Sequence, residues 1–334
     1  MAHARDAAEI VRNQIGAGLD PATERQRTVS QNFLDVANLV GVELAKTWKS
    51  PKSYQQWQRS VEVHCVKLHN KPIQSITDAD CRAIVIPVWE KTPETGRRLR
   101  HRLERIFDYA SAHGWCDGVN PARWAGHFKE VMVSDRNSRK ANFPAMPYNE
   151  VPEFVAQLRQ QETVAALGLE FLILTATRSS ETLNAQWSEI DFETSTWRIG
   201  SERMKSGRPH DIPLTDQGVE ILKKLYKLRQ HEYVFLGKRP KRPLSNMTFT
   251  MLMRRMGFGH YVPHGFRASF RTWCGNETNT PREVAEAALS HRTGDATELA
   301  YSRGNALEKR RRLMPKWEAH CLGLEQADVV QLHA

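Results

Sequence analysis

The chain has 334 residues, 40% of them hydrophobic, which is enough for two domains with cores of their own. Forty-eight Lys and Arg against 38 Asp and Glu leave a net charge of +10, a surplus that favours a polyanionic partner such as nucleic acid. The longest apolar stretch, around Phe171 to Leu174, falls far short of the roughly 18 residues that cross a bilayer, and the N-terminus MAHARDAAEIVRNQ has no signal-peptide core.

The five cysteines (Cys65, Cys81, Cys116, Cys274, Cys321) lie far apart and form no Cys-x-x-Cys pair. That is the usage of a reducing, intracellular protein without a zinc ribbon. His260 and His264 are four apart, but Pro263 between them argues against a helical metal site. No metal is expected.

Arg5 to Gln14 reads as helix-like and ends at the turn Gly18-Leu19-Asp20-Pro21, so residues 1 to 25 look like the tail of something larger. From Thr28 to His127 the pattern is helical throughout. Between Ser53 and Leu68, Tyr54, Trp57, Val61, Cys65 and Leu68 make one apolar face. Thr77 starts the next helix with Asp78 and Asp80 in its first turn, and Pro87 is expected to kink or end it.

A third helix, Thr95 to His113, places Leu99, Leu103, Ile106, Phe107 and Ala110 on its core stripe. Arg97, Arg98, Arg100, Arg102 and Arg105 crowd its other faces, with only Glu104 as a nearby acid. Taken alone this is either a solvated basic face or a phosphate-contacting one. Val131 to Pro147 lacks periodicity, carries charge and prolines, and reads as a linker.

A mixed domain follows. Helices are predicted at Val151 to Gln160 and Thr163 to Thr177, and strands at Glu189 to Arg198 and His210 to Leu214, with Lys205 to Pro209 turning between them. Helical patterns then cover Gln217 to Arg229, Asn246 to Met256, Arg267 to Trp273, Pro281 to Leu289, Ala296 to Tyr301 and Leu307 to His320. In the last of these Leu307, Leu313, Met314, Trp317 and Cys321 form an apolar stripe, which by itself reads as a helix closing on its own core, and Pro315 should bend it. The fold class is therefore mainly α with a small antiparallel sheet, an α+β arrangement.

Several side chains in this second domain suit an anionic oxygen. Arg178 closes the apolar run LEFLILTAT, where a partly buried cation needs an anionic partner, and Glu181 stands three residues on. The plain alternative is an ordinary helix pair. Lys205 sits at the hairpin tip beside Gly207, where an ammonium on a flexible stem could protonate a leaving alkoxide. His264 and Arg267 lie three apart at a helix start and can point the same way. His291 follows the small-residue stretch VAEAALS, and Tyr301, ten residues beyond, offers an oxygen nucleophile.

Arg178 in TATRSSETLNAQW, Lys205 in MKSGRPHDIPL, His264 and Arg267 in HGFRASFRTW, His291 in LSHRTGD and Tyr301 in AYSR resemble, in order and approximate spacing, the tyrosine recombinases of the phage integrase family. The wording around them is most similar to integrases of prophages and genomic islands. The resemblance implies a helical core-binding domain at 28–130, a linker at 131–149, a catalytic domain with a C-terminal helix at 150–322, and a tail at 323–334. Residues 1–27 resemble the last piece of an N-terminal arm-binding domain with its linker. The body of that domain is absent, which puts arm-type site recognition in doubt and suggests a shortened chain.

The resemblance also implies a mechanism and partners. Tyr301 would attack a scissile phosphodiester to give a 3′-phosphotyrosyl link. His264 would be its proton partner and His291 a donor to the phosphate, while Arg178 and Arg267, supported by Glu181, grip the non-bridging oxygens. Lys205 would protonate the departing 5′ oxygen. One ester replaces another, so no cofactor is needed. Arg97 to Arg105 would face double-stranded DNA at attachment or core sites. Residues 307–322 would dock on a neighbouring protomer in a homotetramer, with accessory DNA-bending proteins as further partners, in the cytoplasm and without a membrane. Two rivals stand beside this: a type IB topoisomerase, which shares the constellation, and a site-specific DNA-binding protein that has lost catalysis.

Overall fold

The computed structural model describes residues 12–13, 15–17, 31–48, 50–132, 144–237, 239, 241–291 and 306–324. The chain divides into two compact units, residues 1–138 and 139–334. Each has its own hydrophobic core.

The first unit is helical: α1 (Phe33–Ala45), α2 (Pro51–His64), α3 (Asp78–Lys91) and α4 (Pro93–Ala112). Phe33, Val36, Ala37 and Val40 of α1, Trp57 and Val61 of α2, and Leu99, Leu103, Ile106, Phe107 and Ala110 of α4 are buried together. Their spacing is that of one helical face, so burying each stripe against the next builds the bundle. Thr77 caps α3 through a reciprocal pair with Asp80, its hydroxyl accepting from the Asp80 amide and the Asp80 carboxylate accepting from the Thr77 amide.

Of the two outcomes expected at Pro87, ending the helix is not the one found: α3 continues through it to Lys91. Pro87 and Ala83, whose carbonyl loses its amide partner, are both exposed, so water can serve that carbonyl. The tight turn into α4 depends on Gly96: a Cβ there would lie 2.4 Å from the Trp89 Cβ.

The second unit is built around α6 (Val164–Thr175), whose residues from Gly168 to Thr175 are all buried. Such a helix is apolar on every side because every side is covered. Around it lie α5 (Val151–Arg159), α7 (Ser179–Leu183), α8 (Asp216–Tyr226), α9 (Thr248–Arg255), α10 (Gly265–Glu277), α11 (Arg282–Ala288) and α12 (Leu307–Cys321). A three-stranded antiparallel sheet runs in the order β1 (Ile190–Asp191), β2 (Thr196–Ile199), β3 (His210–Pro213).

The single strand expected over Glu189 to Arg198 is instead two strands and a reversal. Asp191 accepts the Thr194 amide through its side chain (3.0 Å), and Ser195 takes a left-handed φ of 47°. That local turn outcompetes an extended run. β2 pairs with β3 in the register Trp197↔Ile212 and Ile199↔His210.

The C-terminal stripe follows the first of its two readings, a helix that closes on its own core. Leu313, Met314, Trp317 and Cys321 of α12 are buried in the unit's own core, and Trp317 donates its indole N–H to the Ile173 carbonyl (2.8 Å). Arg310 donates to the Asp211 carbonyl (2.7 Å) and Arg311 to the Thr196 hydroxyl (2.7 Å). This apolar face is therefore occupied within its own chain and is not open to a neighbouring protomer. Pro315 lies on the exposed side of a helix that continues through it. Among the described residues no helix is long and apolar enough to cross a membrane.

Candidate active site

Arg178 is placed by a sharp change of direction. Ala176 ends α6 in the left-handed region (φ 50°), and Arg178 then caps α7. Behind it a buried chain of hydroxyls, Thr175 to Thr177 (2.9 Å) to Thr182 (2.7 Å), fixes the corner. Glu181 is only 4% exposed and binds Arg178 twice, from the guanidinium Nη1 (2.7 Å) and from the backbone amide (2.9 Å). The arginine therefore leaves the helix end at a fixed angle with its remaining donors unspent on Glu181.

Arg267 enters from α10 and is buried. Its Nη1 donates to the Ala176 carbonyl and its Nη2 to the Leu289 carbonyl, each at 2.6 Å, and Nη2 also meets His291 Nε2 at 3.1 Å. Burial and the adjacent Arg178 guanidinium push its pKa down to about 10, still charged at neutral pH. The first turn of α10 packs against the extended segment at Pro144 and Ala145. A Cβ on Gly265 would come within 2.8 Å of both, so glycine permits the approach.

His264 is the N-cap residue of α10. The residue is exposed along one side, yet the part of its ring turned to the protein loses hydration. That loss, with positive charge from Arg267, Arg178 and His291, lowers its pKa against an opposing pull from Glu181. His264 is thus a neutral imidazole at pH 7, able to accept a proton. The same four neighbours place it near the Arg178–Arg267 pair.

His291 Nδ1 lies 2.8 Å from Glu286 Oε2. With Nδ1 donating to a carboxylate and Nε2 accepting from Arg267, both ring nitrogens are engaged. In the Nδ1–H tautomer the ring has no N–H left over for a phosphate. Lys205 is exposed on the connection between β2 and β3, and the contacts that hold the cluster do not include it. That connection is tied down by Arg203, which pairs with Glu189 and donates to the Glu181 carbonyl (2.8 Å). Tyr301 and the helix expected over Ala296 to Tyr301 lie outside the described residues.

Sequence reasoning missed Glu286, Arg271, Arg203 and His210. His210 is buried at the start of β3, beside the cluster. Loss of hydration, then Arg310, with Arg267 and Arg178 adding to it, pushes its pKa down to about 3, against a hydrogen bond to the Ala288 backbone. A pairing such as Glu286–His291 depends on a turn and leaves no periodic trace. Its one available signal is a lone acid in the small-residue helix VAEAALS.

In the first unit the five arginines of α4 divide. Arg100 is largely buried, pairs with Glu104 (2.8 Å), donates to the Ala122 carbonyl (3.1 Å) and lies over the Trp124 ring. Arg102 donates to the Gln56 carbonyl (2.9 Å). Arg98 and Arg97 approach Glu94 at 3.1 and 3.9 Å, so Glu104 is not the helix's only acid partner. Arg105 is exposed.

Two family models cover these units: the phage integrase family model matches residues 145–307 and the phage integrase central domain model residues 33–127. The chain belongs to the phage integrase family. It is 31% identical to the prophage integrase IntA of Escherichia coli (strain K12) over 245 residues, 72% of this chain and 57% of that protein. It thus spans little more than half of that relative's length. The integrase of Shigella phage Sf6 is 26% identical over 330 residues, 94% of this chain and 82% of the phage protein.

Among solved structures, a lambda integrase tetramer bound to a Holliday junction superposes with a TM-score of 0.63 at 17% identity, covering 87% of this chain and 88% of that one. The Tn1549 transposon integrase in complex with circular intermediate DNA does so with a TM-score of 0.55 at 16% identity, covering 80% and 99%. These integrases share the fold: a helical unit followed by a mainly helical unit with a small antiparallel sheet.

Proposed function

We propose that this integrase-family chain is a site-specific DNA recombinase that cuts and rejoins double-stranded DNA through a 3′-phosphotyrosyl intermediate, integrating or excising a mobile element. The observation that carries the reading is the convergence of Arg178, Arg267, His264 and His291 on one space, with Glu181 behind it. Two guanidinium groups with the His264 imidazole beside them suit a phosphodiester better than any neutral substrate.

In the proposed reaction the Tyr301 oxygen forms a bond to phosphorus while the bond from phosphorus to the 5′ oxygen breaks. His264, kept neutral by its cationic neighbours, takes the phenol proton. Arg178 and Arg267 neutralise the charge that grows on the non-bridging oxygens, a preorganised role typically worth about 3–4 kcal/mol per donor. Lys205 gives its proton to the departing oxygen. Reversal by another 5′-hydroxyl reseals the strand with no external energy, because one ester is exchanged for another.

Residues 28–130 would supply the core-site grip, with the exposed members of Arg97, Arg98, Arg100, Arg102 and Arg105 on phosphates, and residues 150–322 the chemistry. The lambda integrase tetramer on a Holliday junction supports assembly of this chain as a homotetramer on DNA. Contacts between protomers would avoid the apolar side of α12, which is already covered. The site of action is bacterial DNA in the cytoplasm.

The test is covalent trapping. Nicked suicide duplexes spanning candidate crossover sites are incubated with the protein and with Tyr301→Phe, then resolved on denaturing gels. An adduct that vanishes in the variant is expected, followed by strand exchange between two labelled sites. Specific binding with no adduct would leave only a DNA-binding protein. An adduct without exchange would point to a strand-relaxing enzyme.

A further inference from the structure

Arg267 and Arg271 leave the same face of α10 one turn apart, an arrangement in which like charges repel. Two side chains from α11 and the turn after it lie between them. Arg271 Nε donates to Glu286 Oε1 (2.8 Å), Glu286 Oε2 meets His291 Nδ1 (2.8 Å), and His291 Nε2 meets Arg267 Nη2 (3.1 Å). The four groups form one continuous path of hydrogen bonds.

The backbone holds that path together. Ser290 adopts a left-handed φ of 52° after α11, and the His291 amide reaches back to the Glu286 carbonyl (2.9 Å). This is a helix-ending turn that returns residue 291 over residue 286. The pairing of the two side chains is therefore set by local geometry, before any substrate arrives.

The direction of the path follows from what each group can do. An ionised carboxylate only accepts and a guanidinium only donates. Glu286 is kept ionised: burial alone would raise its pKa, but hydrogen bonds from Arg271 and His291 carry it below the usual carboxylate range. The hydrogen of a neutral His291 must then sit on Nδ1, leaving Nε2 as an acceptor for Arg267. The opposite tautomer would set an N–H against the Arg267 N–H.

We propose that Glu286, steadied by Arg271, is a positioning residue: it fixes the Nδ1–H tautomer of His291, and His291 in turn orients the Arg267 guanidinium toward the scissile phosphate. This rests on the recombinase reading above and assigns it two side chains that act through His291 and Arg267. It also gives His291 a task different from direct contact with phosphate in the resting enzyme.

Glu286→Gln tests it by reversing the polarity at one atom. Arg271 would bind the amide oxygen and leave the NH2 group facing Nδ1, which favours the Nε2–H tautomer. Partners that orient metal-bound histidines are worth roughly 10- to 100-fold in activity, and by analogy a fall of that order is expected in the rate of adduct formation on a suicide duplex. Noncovalent affinity for the same duplex should hold, since the contact acts on the reacting phosphate. Glu286→Asp keeps the carboxylate and should recover part of the rate. In the full-length protein labelled with 15N-histidine, His291 should show hydrogen on Nδ1 in the parent and on Nε2 in Glu286→Gln.

A Glu286→Gln protein that forms adduct at the parental rate, or that inverts the tautomer without slowing, overturns the proposal. A parent protein that forms no adduct on any attachment-site duplex would instead bring down the recombinase reading itself. Should Glu286→Gln fail to fold by thermal melting, Arg271→Gln addresses the same path from its far end and leaves the glutamate in place. A slowed rate with unchanged binding supports the proposal there too, and an unchanged rate rejects it.

Discussion

His210 shows how much positive charge the second unit has gathered in a small volume. Its ring is buried among Arg310, Arg267 and Arg178, and its pKa falls from 6.5 to about 3. The folded protein thus keeps the ring neutral while the unfolded chain protonates it near 6.5. As pH falls the unfolded state binds the proton first, so stability is lost from about pH 6.5 down toward 3. At pH 5 the difference amounts to about 2 kcal/mol. His210→Gln should flatten the fall in urea stability between pH 6.5 and 5 by that order. Equal slopes in parent and variant would rule out His210 as the source. Glu181 and Glu286 make a related contrast. Glu181 could be paired with Arg178 from its spacing on the chain, because three residues at a helix start set the contact. Glu286 could not be paired with His291, because that contact needs the left-handed turn at Ser290.

At the level of an element, α4 separates arginines that build the protein from those available to a partner. Arg100 is bound by Glu104, the Ala122 carbonyl and the Trp124 ring, whereas Arg105 is exposed on the same helix. Arg105→Ala should weaken binding to duplex DNA across sequences and reduce the slope of log affinity against log salt by about 1, with little change in melting temperature. Arg100→Ala should instead destabilise the first unit by about 1–3 kcal/mol, since it strands a part-buried carboxylate and a carbonyl. Anisotropy titrations over a salt series, with thermal melts of both variants, would check the division. An unchanged slope in Arg105→Ala would remove α4 from the DNA-contacting surface. In sequence all five arginines look alike, because a helical wheel shows which face is not apolar and says nothing of what else covers it.

Across the molecule, two separate cores predict two separately perturbable units. Trp317→Ala removes a fully buried indole and its bond to the Ile173 carbonyl, a change that typically costs about 3–5 kcal/mol. Calorimetry of the full chain should show two transitions, with this variant shifting only the one that belongs to the second unit. A common shift of both would mean the units unfold as one. Because α12 closes its own core, the same variant should impair folding of the site before any assembly on DNA.

The helical reading of the first unit, the buried central helix of the second and the small antiparallel sheet could all be read from residue order. Each rests on interactions within a few positions: apolar residues at helical spacing, capping side chains and turn residues. The order of Arg178, Lys205, His264, Arg267, His291 and Tyr301 was likewise enough to suggest the family. Three things lay beyond that reach: which surface covers the stripe of α12, whether Pro87 interrupts its helix, and which acid holds His291. The first is a contact across 144 residues of chain, from Trp317 to Ile173. The second depends on which carbonyl faces water. The third depends on a single backbone reversal at Ser290. Local patterns carry no information on such contacts, because their free energy comes from groups that only the folded chain brings together.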